Sequence, residues 1–155
     1  MEKAITTAML VIASVIAALA LTNAVLPAMG KSAGALVTAN KSAAERIKTD
    51  IAIVHATGDD SAGEVTVWIK NIGTQVIKPV KSSDVILTTP TNVLRLPYVT
   101  SCASECWNFF IEGGGADWVQ TVTVKFTINT SMDTGNYNVS VAVVNAVEAD
   151  KDFSV

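Results

Sequence analysis

The chain is poor in the residues that most enzyme chemistry requires. His55 is its single histidine, so neither a His-pair metal site nor a Ser-His-Asp arrangement can draw on a second imidazole. His55 falls at the end of an alternating segment and reads as a structural or surface residue. Gly113-Gly114-Gly115 is followed by Ala116-Asp117, where a phosphate-cradling loop needs Lys and Ser or Thr. Charge is also scarce: 11 basic and 14 acidic side chains in 155 residues give a net charge of -3, with no basic run to neutralise phosphates. Nucleic acid is therefore not an expected partner. The acidic turn at Asp59, Asp60 and Glu64 has the oxygen ligands for weak calcium binding, but such turns are most often simply solvated. No catalytic residue, cofactor or metal is assigned, and the chain is not read as an enzyme.

The longest absence organises everything else. From Ala4 to Met29, 26 consecutive residues carry no ionisable side chain. At about 1.5 Å per residue this helix exceeds the roughly 30 Å of bilayer hydrocarbon, so it can span a membrane. The run is too long for a secretory leader, and removal by ordinary signal peptidase is not expected. At 100° per residue, Thr6, Ala13, Ala17, Ala20, Ala24 and Ala28 fall in one sector, and Ile5, Ile12, Val15, Ile16, Leu19 and Leu26 crowd another. A smooth stripe beside a bulky one lets helix backbones approach closely within lipid. The competing reading is a plain lipid anchor whose alanines reflect helix propensity.

Three regions follow: residues 1–29 as a transmembrane or assembly helix, 30–49 as a helical stalk or linker, and 50–155 as a β domain. Pro27 is placed to kink the first helix. Gly30 to Lys48 reads as its polar continuation, weakened at Gly30 and Gly34, with a flexible tether as the alternative.

From Asp50 the hydrophobic period becomes two. Strands are predicted at 50–56, with Ile51, Ile53 and His55 on one side, and at 64–72, with Val65, Val67 and Ile69 on one side. Others are predicted at 75–80, where Pro79 implies an edge or bulge, and at 84–89, 93–100 and 107–112. The longest, 118–128, changes parity and implies a bulge near Gln120 or Thr121. Strands at 137–144 and 148–155 close the series. Short strands separated by Gly, Pro, Asn and Asp turns indicate an all-β immunoglobulin-like sandwich preceded by a long hydrophobic helix, a pilin-like layout.

Cys102 and Cys106, in SCASECW, are too few for a structural zinc site and lack C-x-x-C redox spacing. They read as a small disulfide loop in an oxidising exterior, with free buried thiols as the alternative. Three N-x-S/T sequons, at Asn40, Asn129 and Asn138, are candidate glycosylation sites in an exported domain; Asn138 lies mid-strand and suits the role least. Trp107, Phe109, Trp118 and Tyr98 are candidate contact residues, against the reading that strand tryptophans are core.

The apolar helix followed by RIKTDIAIVHATG (46–58), VTVWIKNIGTQVI (65–77) and SDVIL (83–87) resembles the archaeal flagellar (archaellum) protein G family, related to archaellins and archaeal type IV pilins. Residues 94–115 do not match its pattern. The resemblance implies a membrane-anchored, stator-like motor component with its domain outside the membrane. It also implies action with the related archaellum F-type subunit, bracing against the S-layer, and self-association through the N-terminal helix in membrane lipid. Lys3-Ala4-Ile5 is similar to the site cut by an archaeal prepilin peptidase, with cleavage after Ala4 leaving Ile5 first. Basic residues after the helix, Lys31, Lys41, Arg46 and Lys48, favour a cytoplasmic domain by the positive-inside rule; the family layout, cysteines and sequons favour the outside. The alternative is a filament subunit of archaellin or pilin type. In a filament, the Glu2 carboxylate could meet a neighbour's amine; otherwise it is an ordinary solvated residue beside Lys3.

Overall fold

The computed structural model describes residues 2–155, with the side chain of Glu2 left out. It comprises one helix, α1 (Glu2–Lys48), and eight strands: β1 (Ile51–Asp59), β2 (Glu64–Asn71), β3 (Asp84–Thr88), β4 (Val93–Leu96), β5 (Cys106–Ile111), β6 (Thr123–Asn129), β7 (Asn136–Val143) and β8 (Val147–Ser154). Two compact units result, one ending at Ser42 and one running from Ala43 to Val155.

In the first unit, α1 is unbroken through Pro27, Gly30 and Gly34. Its hydroxyls turn inward on the helix's own backbone: Thr7 donates to the Lys3 carbonyl at 2.7 Å, Ser14 to Val11 at 2.7 Å and Thr22 to Ala18 at 2.9 Å. Such back-bonding removes the cost of a bare hydroxyl in hydrocarbon.

The second unit is a sandwich of two antiparallel four-stranded sheets, ordered β1-β2-β6-β5 and β4-β3-β7-β8. Alternation drives this packing. Val65, Val67 and Ile69 of β2 and Val124, Phe126 and Ile128 of β6 face inward, against Val85 and Leu87 of β3 and Val139 and Val141 of β7. All ten are fully buried. Tyr137 fixes one corner, its hydroxyl donating to the Asp133 carbonyl at 2.7 Å and accepting from the Asp133 N–H at 2.9 Å. This is the tyrosine-corner arrangement of immunoglobulin-like sandwiches.

The strand edges are blunted. β1 packs beside β8, and on the opposite flank the chain after β4 bridges to β5 through Tyr98 and Trp107. There the Trp107 N–H donates to Pro97 and the Val99 N–H to Trp107, both at 3.0 Å. β8 also carries Glu148, Asp150, Lys151 and Asp152 along its length.

Three expectations need correction. Residues 75–80 form no strand; only Ile77 pairs, in an isolated bridge to Trp118, and Val80–Ser82 is a short 3-10 turn. The run at 118–128 is a strand only from Thr123, because Thr121 takes φ +70°, a left-handed conformation that breaks extension. His55 does not share a face with Ile51 and Ile53: a register shift between Ile53 and His55 leaves Val54 unpaired and turns His55 to the outer face.

Candidate functional site

The last turn of α1 belongs to the sandwich unit and is held there by backbone. The Thr74 and Gln75 N–H groups donate to the Lys48 carbonyl at 2.9 and 3.1 Å, and those of Ile72 and Gly73 to the Asp50 carbonyl at 3.0 Å each. The donors to Lys48 satisfy an acceptor that the helix end leaves open. Thr49, only 3 % exposed, donates to the Glu45 carbonyl at 2.8 Å and accepts from the Asn145 amide at 3.0 Å. The loop after β2 is fixed by Asn71, whose side-chain amide donates to the carbonyls of Gln75 (2.8 Å) and Trp118 (3.0 Å).

Two of the expected aromatic contact residues are core and two are half-buried beside it. Trp107 and Trp118 are buried, and Tyr98 and Phe109 pack against that core. Trp107 stacks on Phe126 at 5.0 Å between centroids and meets Tyr98 edge-on at 5.1 Å. Both indole N–H groups are bonded, Trp107 to Leu96 (3.1 Å) and Trp118 to Val122 (3.0 Å), which lets such large rings be buried at little polar cost.

Further aromatic side chains that reach the surface lie on another part of the sandwich. On the outer face of the first sheet, the register places His55, Trp68, Lys125 and Phe110 in one row across β1, β2, β6 and β5. His55 leans on Trp68 at 5.5 Å, and Phe110 is 58 % exposed. Sequence reasoning missed the row, because it depends on the β1 irregularity and on the β2-β6-β5 order. The strict alternation of β2 was the signal present.

Cys102 and Cys106 are joined by a disulfide, with Cα atoms 5.6 Å apart. The sequons differ in setting. The Asn129 amide donates to the Cys102 carbonyl at 2.7 Å and that of Asn138 to Asp152 at 2.7 Å, whereas Asn40 is exposed on α1. Thr6, Ala13, Ala17, Ala20, Ala24 and Ala28 are all exposed along α1, as are Ile5, Ile12, Ile16 and Leu19 beside them. The proposed cleavage step at Ala4 and Ile5 lies within α1. The Glu2 side chain lies outside the described residues.

Titratable chemistry is thin. Among the described residues no three of His, Cys, Asp or Glu come together as a metal site. Arg95 donates from Nε to both Asp84 oxygens, at 2.8 and 3.0 Å; the hydrogen bond first, and the opposite charge second, raise the guanidinium pKa above its ordinary value. This pair edges a recess of about 350 Å³ that also includes Lys81, Ser83 and Tyr98.

No family model matches the chain. An uncharacterized protein of Archaeoglobus fulgidus is 29% identical over 163 residues, covering 99% of this chain and 98% of the relative. Among solved structures, the archaellum periplasmic stator protein FlaG from Sulfolobus acidocaldarius superposes with a TM-score of 0.57 at 18% identity, over 68% of this chain and 99% of FlaG. A chain of the FlaF and FlaG stator complex from the same organism gives 0.57 at 19% identity, over 68% of this chain and 89% of that one. Archaeal flagellin FlaB1 from Methanocaldococcus jannaschii gives 0.54 at 12% identity, over 69% and 90%. The β domain thus has the sandwich fold found in the archaellum stator protein FlaG and in the archaeal flagellin FlaB1.

Proposed function

We propose that the chain is a non-enzymatic structural component of the archaellum, anchored in the membrane by α1 and acting stator-like through its sandwich outside the membrane. The observation that carries this reading is the likeness of the sandwich to FlaG over 99% of the FlaG chain, joined to a helix long and apolar enough to cross a bilayer. A related F-type subunit is the first partner to test, since FlaG forms a complex with FlaF. The S-layer is the second. Self-association uses the stripe from Thr6 to Ala28, where small side chains permit close helix approach in lipid.

The likeness to FlaB1 favours a second reading, in which the same helices form the core of an extracellular filament. Immunogold labelling of intact cells separates the two. A stator labels the envelope at archaellum bases and leaves filaments bare; a filament subunit labels along the filament. Labelling at neither place overturns both readings.

A further inference from the structure

The two outer faces of the sandwich differ in chemistry. On the second sheet, Glu148, Asp150 and Asp152 of β8 stand opposite Ala142, Ser140 and Asn138 of β7, which makes an acidic, small-residue surface. On the first sheet, the row of His55, Trp68, Lys125 and Phe110 runs beside a second row of Thr57, Thr66, Thr127 and Asn108. No residue of these two rows is itself acidic, although the Thr66 hydroxyl donates to the Glu64 carboxylate at 3.0 Å. Asp59 and Glu64 fall in the next row outward.

We propose that this face is a platform for a neutral polysaccharide, whose chain lies across the strands along the aromatic row. The C–H face of a pyranose stacks on an aromatic ring, whose face carries negative charge density. Its hydroxyl rim needs donors and acceptors at the side. The Thr57 and Thr127 hydroxyls and the Asn108 amide supply both, Thr66 is left as an acceptor because its proton goes to Glu64, and the Lys125 ammonium adds donors between the rings. Strand spacing sets the geometry: Trp68 on β2 and Phe110 on β5 are separated by β6, so at about 4.8 Å per strand they stand roughly 10 Å apart. An extended sugar chain can rest on both rings and leave an intervening unit over Lys125. His55 packed against Trp68 restricts the indole before anything binds, which lowers the ordering cost of association.

Charge disfavours an acidic occupant. A polyanion or anionic lipid surface would find a single lysine in those rows, too little for electrostatic capture. A neutral, hydroxyl-rich polymer asks nothing of charge. The inference goes beyond the stator reading and does not depend on it, since it concerns what the face binds and not where the chain acts.

The test uses the full chain in detergent micelles and biolayer interferometry against immobilised glucan and mannan oligosaccharides of about six units, with alginate and heparin as acidic controls. The expected result is salt-insensitive binding to at least one neutral oligomer. Affinity should fall about tenfold in Trp68→Ala and in Phe110→Ala, fall less in Trp68→Phe, and stay unchanged in the opposite-face variant Asp150→Asn. Phe110 is exposed, so its truncation leaves the core intact and keeps the test open if Trp68→Ala folds poorly. Absence of binding to every neutral oligomer, binding to acidic polymers alone, or binding indifferent to Phe110→Ala and Trp68→Phe overturns the proposal.

Discussion

A Cβ placed on Gly73 would lie 2.4 Å from the carbonyl oxygen of Lys48, and equally close to the N–H of Asp50. The approach exists because the loop after β2 donates its backbone N–H groups to the end of α1. Gly73→Ala is therefore expected to separate these segments and to destabilise the sandwich by roughly 3 kcal/mol, within the range of backbone-clash substitutions. Thermal unfolding followed by near-UV circular dichroism checks this. A midpoint equal to wild type would mean the loop relaxes without loss.

Asn71→Ala removes the donor that serves the carbonyls of Gln75 and Trp118. The part-buried Gln75 carbonyl would lose its side-chain donor, while the Trp118 carbonyl keeps the Ile77 N–H at 3.1 Å, so the cost is about 1–3 kcal/mol in all. The expected outcome is a lowered denaturant midpoint with an unchanged m-value. Asp84→Ala, which breaks the exposed pair with Arg95, is expected to leave the midpoint where it is.

Reduction of the Cys102–Cys106 disulfide opens a five-residue loop. The chain-entropy account puts its stabilisation at about 2 kcal/mol. Denaturant titration with and without reductant measures the difference, and intact mass before and after alkylation verifies the bond in the native chain.

On the helix, Ala17→Leu together with Ala24→Leu fills the small-residue stripe without altering length or polarity. Membrane insertion should persist and self-association should fall, read by cross-linking in detergent and by electron microscopy after its removal. Association that survives both substitutions would assign it to another surface.

Glycosylation, if the producing cell performs it, is expected at Asn40. The amides of Asn129 and Asn138 are already bonded, while Asn40 is exposed. Site-resolved mass spectrometry of the chain from an archaeal host decides this; glycan on Asn129 or Asn138 alone would contradict it.

Periodicity made the architecture legible before any coordinates. The uncharged run from Ala4 to Met29 and the strict alternation of β2, β6 and β7 state their elements through side-chain type alone. Where backbone conformation overrides side-chain pattern, the sequence was less informative: the parity change placed an irregularity near Gln120 or Thr121 but did not give its form. Val119 and Val122 look strand-like, yet the left-handed Thr121 ends that run, and nothing in a threonine announces a positive φ. The unpaired Val54 flipped His55 outward in the same way. The aromatic surface was hidden for a further reason: alternation in β2 turns Trp68 away from the core, but only the strand order brings it into one row with Phe110.

The blunted strand edges bear on how the chain tolerates its surroundings. Domains confined to a membrane surface meet one another at high effective concentration, where an open β-edge would recruit its neighbour into an aggregate. Here β1 shelters against β8, the residues after β4 tie down the start of β5, and β8 carries charge along its length. The domain can accordingly be packed densely without its sheets fusing, which leaves the flat outer faces to set which contacts form.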